Sequence, residues 1–221
     1  MILFLHAAPV SLEAITAALA RYGGALPVRH ALAPDLVDPN AMAFEQDETS
    51  YAKLLAALAK HLRGDETRVV LSCSVFNGFA PRLATELALP VERSDDAGTY
   101  AALGCGSRIG LAVSYPPSYH VVAAHLKAVA AELGRPVTIV PLLDENAFAF
   151  AGEPERYGAT LAAASARAAG LDCIFLAQFS MDPHAAKVAR STDLPVISAL
   201  EATLLRLSGA LVPSGERNCG S

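Results

Sequence analysis

The run Arg68-Val69-Val70-Leu71-Ser72-Cys73-Ser74-Val75-Phe76-Asn77-Gly78 decides how the rest of the chain is read. Val69, Val70 and Leu71 form a short apolar run, which predicts a buried strand. The run stops at small polar residues, and the next helical pattern begins near Pro81. Open parallel sheets bind ligands at the carboxyl ends of their strands. Backbone N–H groups at a helix start favour an anion there, a thiolate included. Cys73 stands at such a place. A lone cysteine is equally suited to plain packing, since free cysteine is among the most buried residue types.

An echo decides between these readings. Asp172-Cys173-Ile174-Phe175-Leu176-Ala177-Gln178-Phe179-Ser180-Met181 has the same form, with Gln178 where the first run has Cys73. Leu89-Pro90-Val91 follows Cys73 as Leu194-Pro195-Val196 follows Gln178, each proline 17 residues on. Residues 2–11 resemble residues 109–118, with Pro9 over Pro116 and Ser11 over Ser118. Pro27-Val28 to Asp35 resembles Pro136-Val137 to Asp144. Four matches in one order, offset by 105 to 109 residues, indicate an internal duplication.

Bulk properties narrow the class. The chain has 221 residues, 53% of them hydrophobic, with mean hydropathy +0.36, ample for one or two well-buried domains. Net charge is −5 and the basic residues are scattered, which argues against nucleic acid. No apolar run reaches membrane-spanning length, and residues 1–5 lack the charged region of a signal peptide. The default address is the cytoplasm. Cys73, Cys105, Cys173 and Cys219 show neither zinc spacing nor a disulfide framework.

Along the chain, strands at residues 2–5, 28–32, 69–71 and 91 alternate with helices over 12–22, 51–63, from Pro81 to 88, and from a cap at Ser94 or Asp95 to 103. Ser11 is the expected cap of the first helix, and 33–50 is a long loop with Asp35, Asp38 and Asn40. The second half repeats this. Strands at 109–113, 137–142, 174–176 and 196 alternate with helices at 120–133, from Pro154 to 170, from an Asp182 cap with Pro183 at its first position, and near 199–207. Residues 114–118 read as a loop, as does the segment with Asp144, Glu145 and Asn146, and the Gly/Ser-rich tail 213–221 reads as loose. Alternation of this kind predicts an α/β fold with parallel sheets covered by helices on both faces. Duplication makes it two pseudo-symmetric lobes, residues 1–96 and 97–199, with Cys73 and Gln178 facing one inter-lobe cleft. The last helix and tail, 200–221, are expected to return to the first lobe.

Other motifs are set aside. Gly104-Cys105-Gly106-Ser107-Arg108-Ile109-Gly110 has the wrong glycine spacing for a dinucleotide loop and precedes a strand. His6, His120, His125 and His184 are candidate acids or bases, with His6 and His184 nearest the expected cleft. Asp95-Asp96 reads as a solvated, capping pair.

Ser72-Cys73-Ser74 and Leu176-Ala177-Gln178-Phe179-Ser180-Met181, set in a duplicated frame over residues 2–207, resemble the aspartate/glutamate/hydantoin racemase superfamily, in a branch with CSxF and LAQFSM motifs. The resemblance implies a cofactor-independent enzyme for a small carboxylate substrate, often dimeric. Two cysteines, one per lobe, then exchange protons on opposite faces of the carbon beside the carboxylate. Carried over, it makes Cys73 an acid/base. Ser74 and Val75, with Ser114, Ser118 and Ser180, would bind the carboxylate, and Pro9 and Ser11 would line the cleft.

Gln178 departs from that pattern. Glutamine hydrogen-bonds but does not exchange protons, and Cys173 lies five residues upstream. Three outcomes follow. Cys73 acts alone, as proton donor after decarboxylation or as nucleophile in a cis–trans isomerisation. Alternatively, Ser180 or a histidine replaces the second thiol. Otherwise the chain binds carboxylates without catalysis.

Overall fold

A computed structural model describes residues 1–38, 44–142, 150 and 152–210. Asn40, the Asp144, Glu145 and Asn146 segment, the tail 213–221 and Cys219 lie outside them. Each half runs strand, helix, strand, helix, strand, helix, strand, helix. The first comprises β1 (Ile2–His6), α1 (Pro9–Ala18), β2 (Val28–Leu32), α2 (Glu48–His61), β3 (Arg68–Leu71), α3 (Ala80–Leu87), β4 (Val91–Arg93) and α4 (Asp96–Cys105). The second comprises β5 (Arg108–Ala112), α5 (Pro116–Glu132), β6 (Thr138–Pro141), α6 (Pro154–Ala166), β7 (Cys173–Leu176), α7 (Ala185–Ala189), β8 (Val196–Ser198) and α8 (Ala199–Leu207).

The strands form two four-stranded sheets, ordered β2-β1-β3-β4 and β6-β5-β7-β8. Every pairing is parallel. In the first sheet Ile2 pairs with both Val28 and Arg68. In the second, Ile109 pairs with both Ile139 and Cys173. The expected α/β duplication is therefore present, strand for strand. In each sheet the chain order reverses beside the first strand. A crevice thus opens at the carboxyl ends of β1 and β3, and of β5 and β7.

Proline sets the start of the first helix, which Ser11 was expected to cap, and starts the helix expected from His120 four residues earlier. Pro9 and Pro116 occupy the first turns of α1 and α5, after Ala8 and Tyr115, with no side-chain cap. A fixed φ near −65° and a missing N–H suit that position. Ser11 and Ser118 consequently lie inside the first turns, and 114–118 is not simply a loop. Asp182-Pro183 does not open a helix either. Both residues sit within a 3₁₀ turn, Phe179–His184, that matches the Ser74–Phe79 turn after β3. Helix formation therefore begins directly after Cys73, ahead of Pro81. The loop from residue 33 is also shorter than expected, holding a 3₁₀ turn at Pro34–Leu36, and Asp47 caps α2 by accepting from the Ser50 N–H.

The two halves share a core. Phe4, Val70 and Ile15 belong to the same apolar cluster as Leu111, Phe175, Leu200 and Leu204. Helix α4 lies against β7 and α8, and α8 lies against α1 and the π-helical turn Leu19–Gly23 that follows it. Gly98 permits this closeness. A Cβ there would overlap the Phe175 ring and come within 3.1 Å of the Ala199 Cα.

Candidate functional site

The site is built from the turns that follow β1, β3, β5 and β7. Cys73 precedes the first residue of the Ser74–Phe79 turn, with extended backbone angles (φ −99°, ψ 113°). Gln178 precedes the Phe179–His184 turn with nearly the same angles (φ −117°, ψ 138°). The duplication has thus placed a thiol and a carboxamide at equivalent positions.

Their surroundings differ because the neighbouring turns differ. Gln178 Oε1 accepts from the Ser114 N–H (2.7 Å) and from the Ser114 hydroxyl (2.9 Å). The Tyr157 hydroxyl in turn donates to Ser114 Oγ at 2.9 Å. Burial raises Tyr157 to about 12, so it stays protonated. An N–H can face only the carbonyl end of an amide, so this chain fixes the orientation of Gln178 and leaves Nε2 with two protons to give. In the first half the residue equivalent to Ser114 is Ala7, which has no side chain to tie down Cys73.

Cys73 keeps a partly exposed surface and packs against the core that contains Val75, Phe76 and Tyr115. Burial of the sulfur pushes the thiol up to about 11, and the N–H of Val75, donating to sulfur, opposes this only in part. The turn was expected to favour a thiolate, but desolvation outweighs a single N–H and Cys73 is a thiol at neutral pH. Tyr115, from the second half, inserts beside it. Its phenol is raised first by burial and then by the charges of Cys73 and Asp38.

Two serine hydroxyls have unspent hydrogen bonds. Ser74 Oγ and Ser118 Oγ are buried and have no hydrogen-bond partner among the described residues. They lie on the turn after Cys73 and in the first turn of α5, which pack together. Buried hydroxyls without partners are rare and call for a reason. Ser180 is partly buried, Ser11 is partly buried, and Pro9 is exposed.

Two of the histidines, His6 and His184, lie on or against these turns. His6 is fully buried and closes a hydrogen-bonded row. Ser72 Oγ gives its proton to the Leu5 carbonyl (2.9 Å), so it accepts from His6 Nδ1 (2.9 Å), and His6 Nε2 then accepts from His30 Nδ1 (2.9 Å). Burial, then the charge on His30, lowers His6 to about 4. His184 stacks edge-on to Tyr157 and crowds Gly158, where a Cβ would meet Nδ1 at 2.7 Å. His120 is exposed, and His125 pairs with Asp96 at 2.9 Å.

Sequence reasoning missed what anchors the two turns. Asn77 and Asp182, each four residues past the central position, are buried. Asn77 Nδ2 donates to Ser94 Oγ (3.0 Å) and Asp95 Oδ1 (2.8 Å). Asp182 accepts from Ser198 Oγ (2.6 Å) and pairs with Arg21 of the first half. Asp95 is therefore not a solvated capping residue. It is wholly buried and clasps Arg93 through both oxygens, because Arg93 reaches back under the Cys73 turn. The repeated spacing of Asn77 and Asp182 was the available signal. Among the described residues no group of three or more His, Cys, Asp or Glu could hold a metal ion, and no helix is long and apolar enough to cross a membrane.

No family model matches the sequence, and no curated protein matches it. Solved structures do match in shape. The Picrophilus torridus aspartate racemase superposes with TM-score 0.65 at 16% identity, over 95% of this chain and 94% of that one. The allantoin racemase of Klebsiella pneumoniae gives 0.71 at 17%, over 94% and 86%. A point mutant of arylmalonate decarboxylase in a sulfate-associated form gives 0.62 at 17%, over 94% and 92%. The chain has the two-lobed fold of these racemases.

Proposed function

We propose that the chain is a cofactor-independent, racemase-type isomerase acting at the carbon next to the carboxylate of a small acid, with Cys73 as its proton-exchanging group. The supporting observation is the juxtaposition of a cysteine at a sheet's switch point with the unpartnered hydroxyls of Ser74 and Ser118. In this reading those hydroxyls and the first N–H groups of the Ser74–Phe79 turn hold the carboxylate. The same donors stabilise the enediolate that forms when the neighbouring carbon loses its proton. Acting through its minor thiolate form, Cys73 takes the proton as the carbon–hydrogen bond breaks and the bond's electrons enter the enediolate; a proton returned to that carbon from the Cys73 thiol restores the starting configuration, and one from water on the opposite face inverts it. Gln178 Nε2 hydrogen-bonds the substrate from the other side.

A second reading has a specific observation in its favour. A thiol at about 11 is already protonated at neutral pH, and Gln178 is held as a donor. Both suit decarboxylation of a substituted malonate. There the carbon–carbon bond breaks, carbon dioxide leaves with the enediolate behind it, and Cys73 delivers one proton to one face. The resulting thiolate recovers its proton from solvent.

One experiment addresses both. Wild type and Cys73→Ala are incubated in D₂O with D- and L-amino acids, hydantoins and aryl- or alkylmalonates, then followed by NMR and chiral chromatography. Deuterium entering one stereocentre only when Cys73 is present supports the proposal, and carbon dioxide release selects the second reading. Full activity of Cys73→Ala refutes both.

A further inference from the structure

The sides of the site are unlike in charge, and this bears on which acids fit. The four turns at the switch points, residues 7–11, 72–79, 113–118 and 177–184, contain no lysine or arginine. Their one carboxylate, Asp182, is committed to Arg21 and Ser198. Only neutral donors are therefore available there to a substrate carboxylate. Tyr115, which belongs to the apolar cluster against which Cys73 packs, also lines a cavity of about 310 Å³. Val37, Phe44 and Tyr115 give it an apolar wall. That wall is fastened to the Cys73 turn at two points. Phe44 meets Phe76 edge-on at 5.5 Å, and the Gln46 amide donates to the Val75 carbonyl. The charged lining is Asp38, Glu45 and Asp47 against the single cation Lys53.

We infer that this cavity receives the arm of the substrate, and that the enzyme takes acids whose arm is apolar while rejecting those that carry a further carboxylate in the arm, such as aspartate and glutamate. The inference rests on the reading of Cys73 as the reacting group. An aromatic or branched aliphatic arm exchanges water for Val37, Phe44 and Tyr115, which is favourable. A second carboxylate in the same place would lose its hydration and face three carboxylates with one ammonium, which disfavours it. The volume is at the lower end of small-molecule pockets, which span about 300–1,000 Å³.

Binding can be read without turnover. Alkylation of Cys73 by iodoacetamide is followed by peptide mass spectrometry on the full chain, with Cys105 as an internal reference. Phenylglycine and leucine, tested as both enantiomers, should slow modification of Cys73. Aspartate and glutamate should need concentrations at least about tenfold higher for the same protection. In Asp38→Lys/Asp47→Lys the preference should narrow or reverse. Equal or better protection of wild type by the dicarboxylates overturns the inference, and so does an absence of protection by either class. Deuterium exchange dependent on Cys73, measured separately, shows whether the reading of the reacting group stands or falls with it.

Discussion

Replacing Asp95 by alanine tests whether the Cys73 turn is held from beneath by a buried ion pair. Asp95 is wholly buried, and the Arg93 side chain is 14% exposed. Arg93 Nε and Nη2 meet its two oxygens at 2.8 and 2.9 Å, and Asn77 Nδ2 reaches Oδ1 at 2.8 Å. Removing the carboxylate leaves a largely desolvated guanidinium without a counter-charge, which costs roughly 3–5 kcal/mol. Arg93 retains the carbonyl of Asn77 at 3.0 Å, which places the loss near the lower end, about 3 kcal/mol. With a urea m-value of about 2–3 kcal/mol/M, the midpoint should fall by roughly 1–1.5 M at unchanged slope. The double variant Arg93→Met/Asp95→Leu replaces the pair by apolar groups of similar size and should recover most of that loss. A loss below about 1 kcal/mol in the single variant, or a double variant as unstable as the sum of its singles, would refute the reasoning.

Other perturbations follow from the same geometry. Because Cys73 is pushed up to about 11, its alkylation rate in the free protein should climb through pH 10 without a plateau; a plateau below pH 9 contradicts this. His6 is lowered to about 4 from an ordinary 6.5, so between those values the unfolded chain binds more protons than the folded one. Its contribution to stability is present above pH 6.5 and is lost as the pH falls toward 4, by up to roughly 3 kcal/mol. His6→Gln should flatten a melting-temperature profile taken from pH 7.5 to 4.5. Ser114→Ala removes one donor to Gln178 and strands the Tyr157 hydroxyl, and should cost about 1–3 kcal/mol in urea unfolding. Gly98→Ala forces a methyl into the Phe175 ring and the Ala199 backbone and should cost about 1–3 kcal/mol or more by the same assay.

Strand placement was legible because apolar runs of four or five residues bounded by Gly, Pro and polar residues have few other interpretations. The duplication was legible because paired landmarks, Pro90 with Pro195 and Cys73 with Gln178, keep their spacing. Helix starts were misjudged at Ser11, where proline stood two residues ahead of the expected cap, and at Asp182-Pro183, which lies inside a 3₁₀ turn. A capping side chain contributes one hydrogen bond, whereas proline fixes a dihedral, and at Pro9 the dihedral prevailed. The roles of Asp95, Arg93, Ser114 and Tyr157 were illegible for another reason. Apart from the Arg93–Asp95 pair itself, two residues apart, their partners lie 16 to 64 residues away in the chain, and no local pattern encodes such contacts. The place of Cys73 at the end of β3 was legible, but its protonation depends on how deeply the sulfur is buried, which the sequence does not state.

The apolar core that joins Phe4 and Val70 to Phe175 and Leu204 has a consequence for synthesis. When residue 105 leaves the ribosome, the face of the first sheet that carries Phe4 and Val70 has α1 and α4 available to it but not Phe175, Leu200 or Leu204. The helix that will complete the cover ends at Leu207. At about 5–20 residues per second the nascent chain waits roughly 5–20 s in that condition. A chain truncated after Cys105 should accordingly remain protease-sensitive or bind chaperones. The full chain should acquire protection in one late step, once its last helix has emerged.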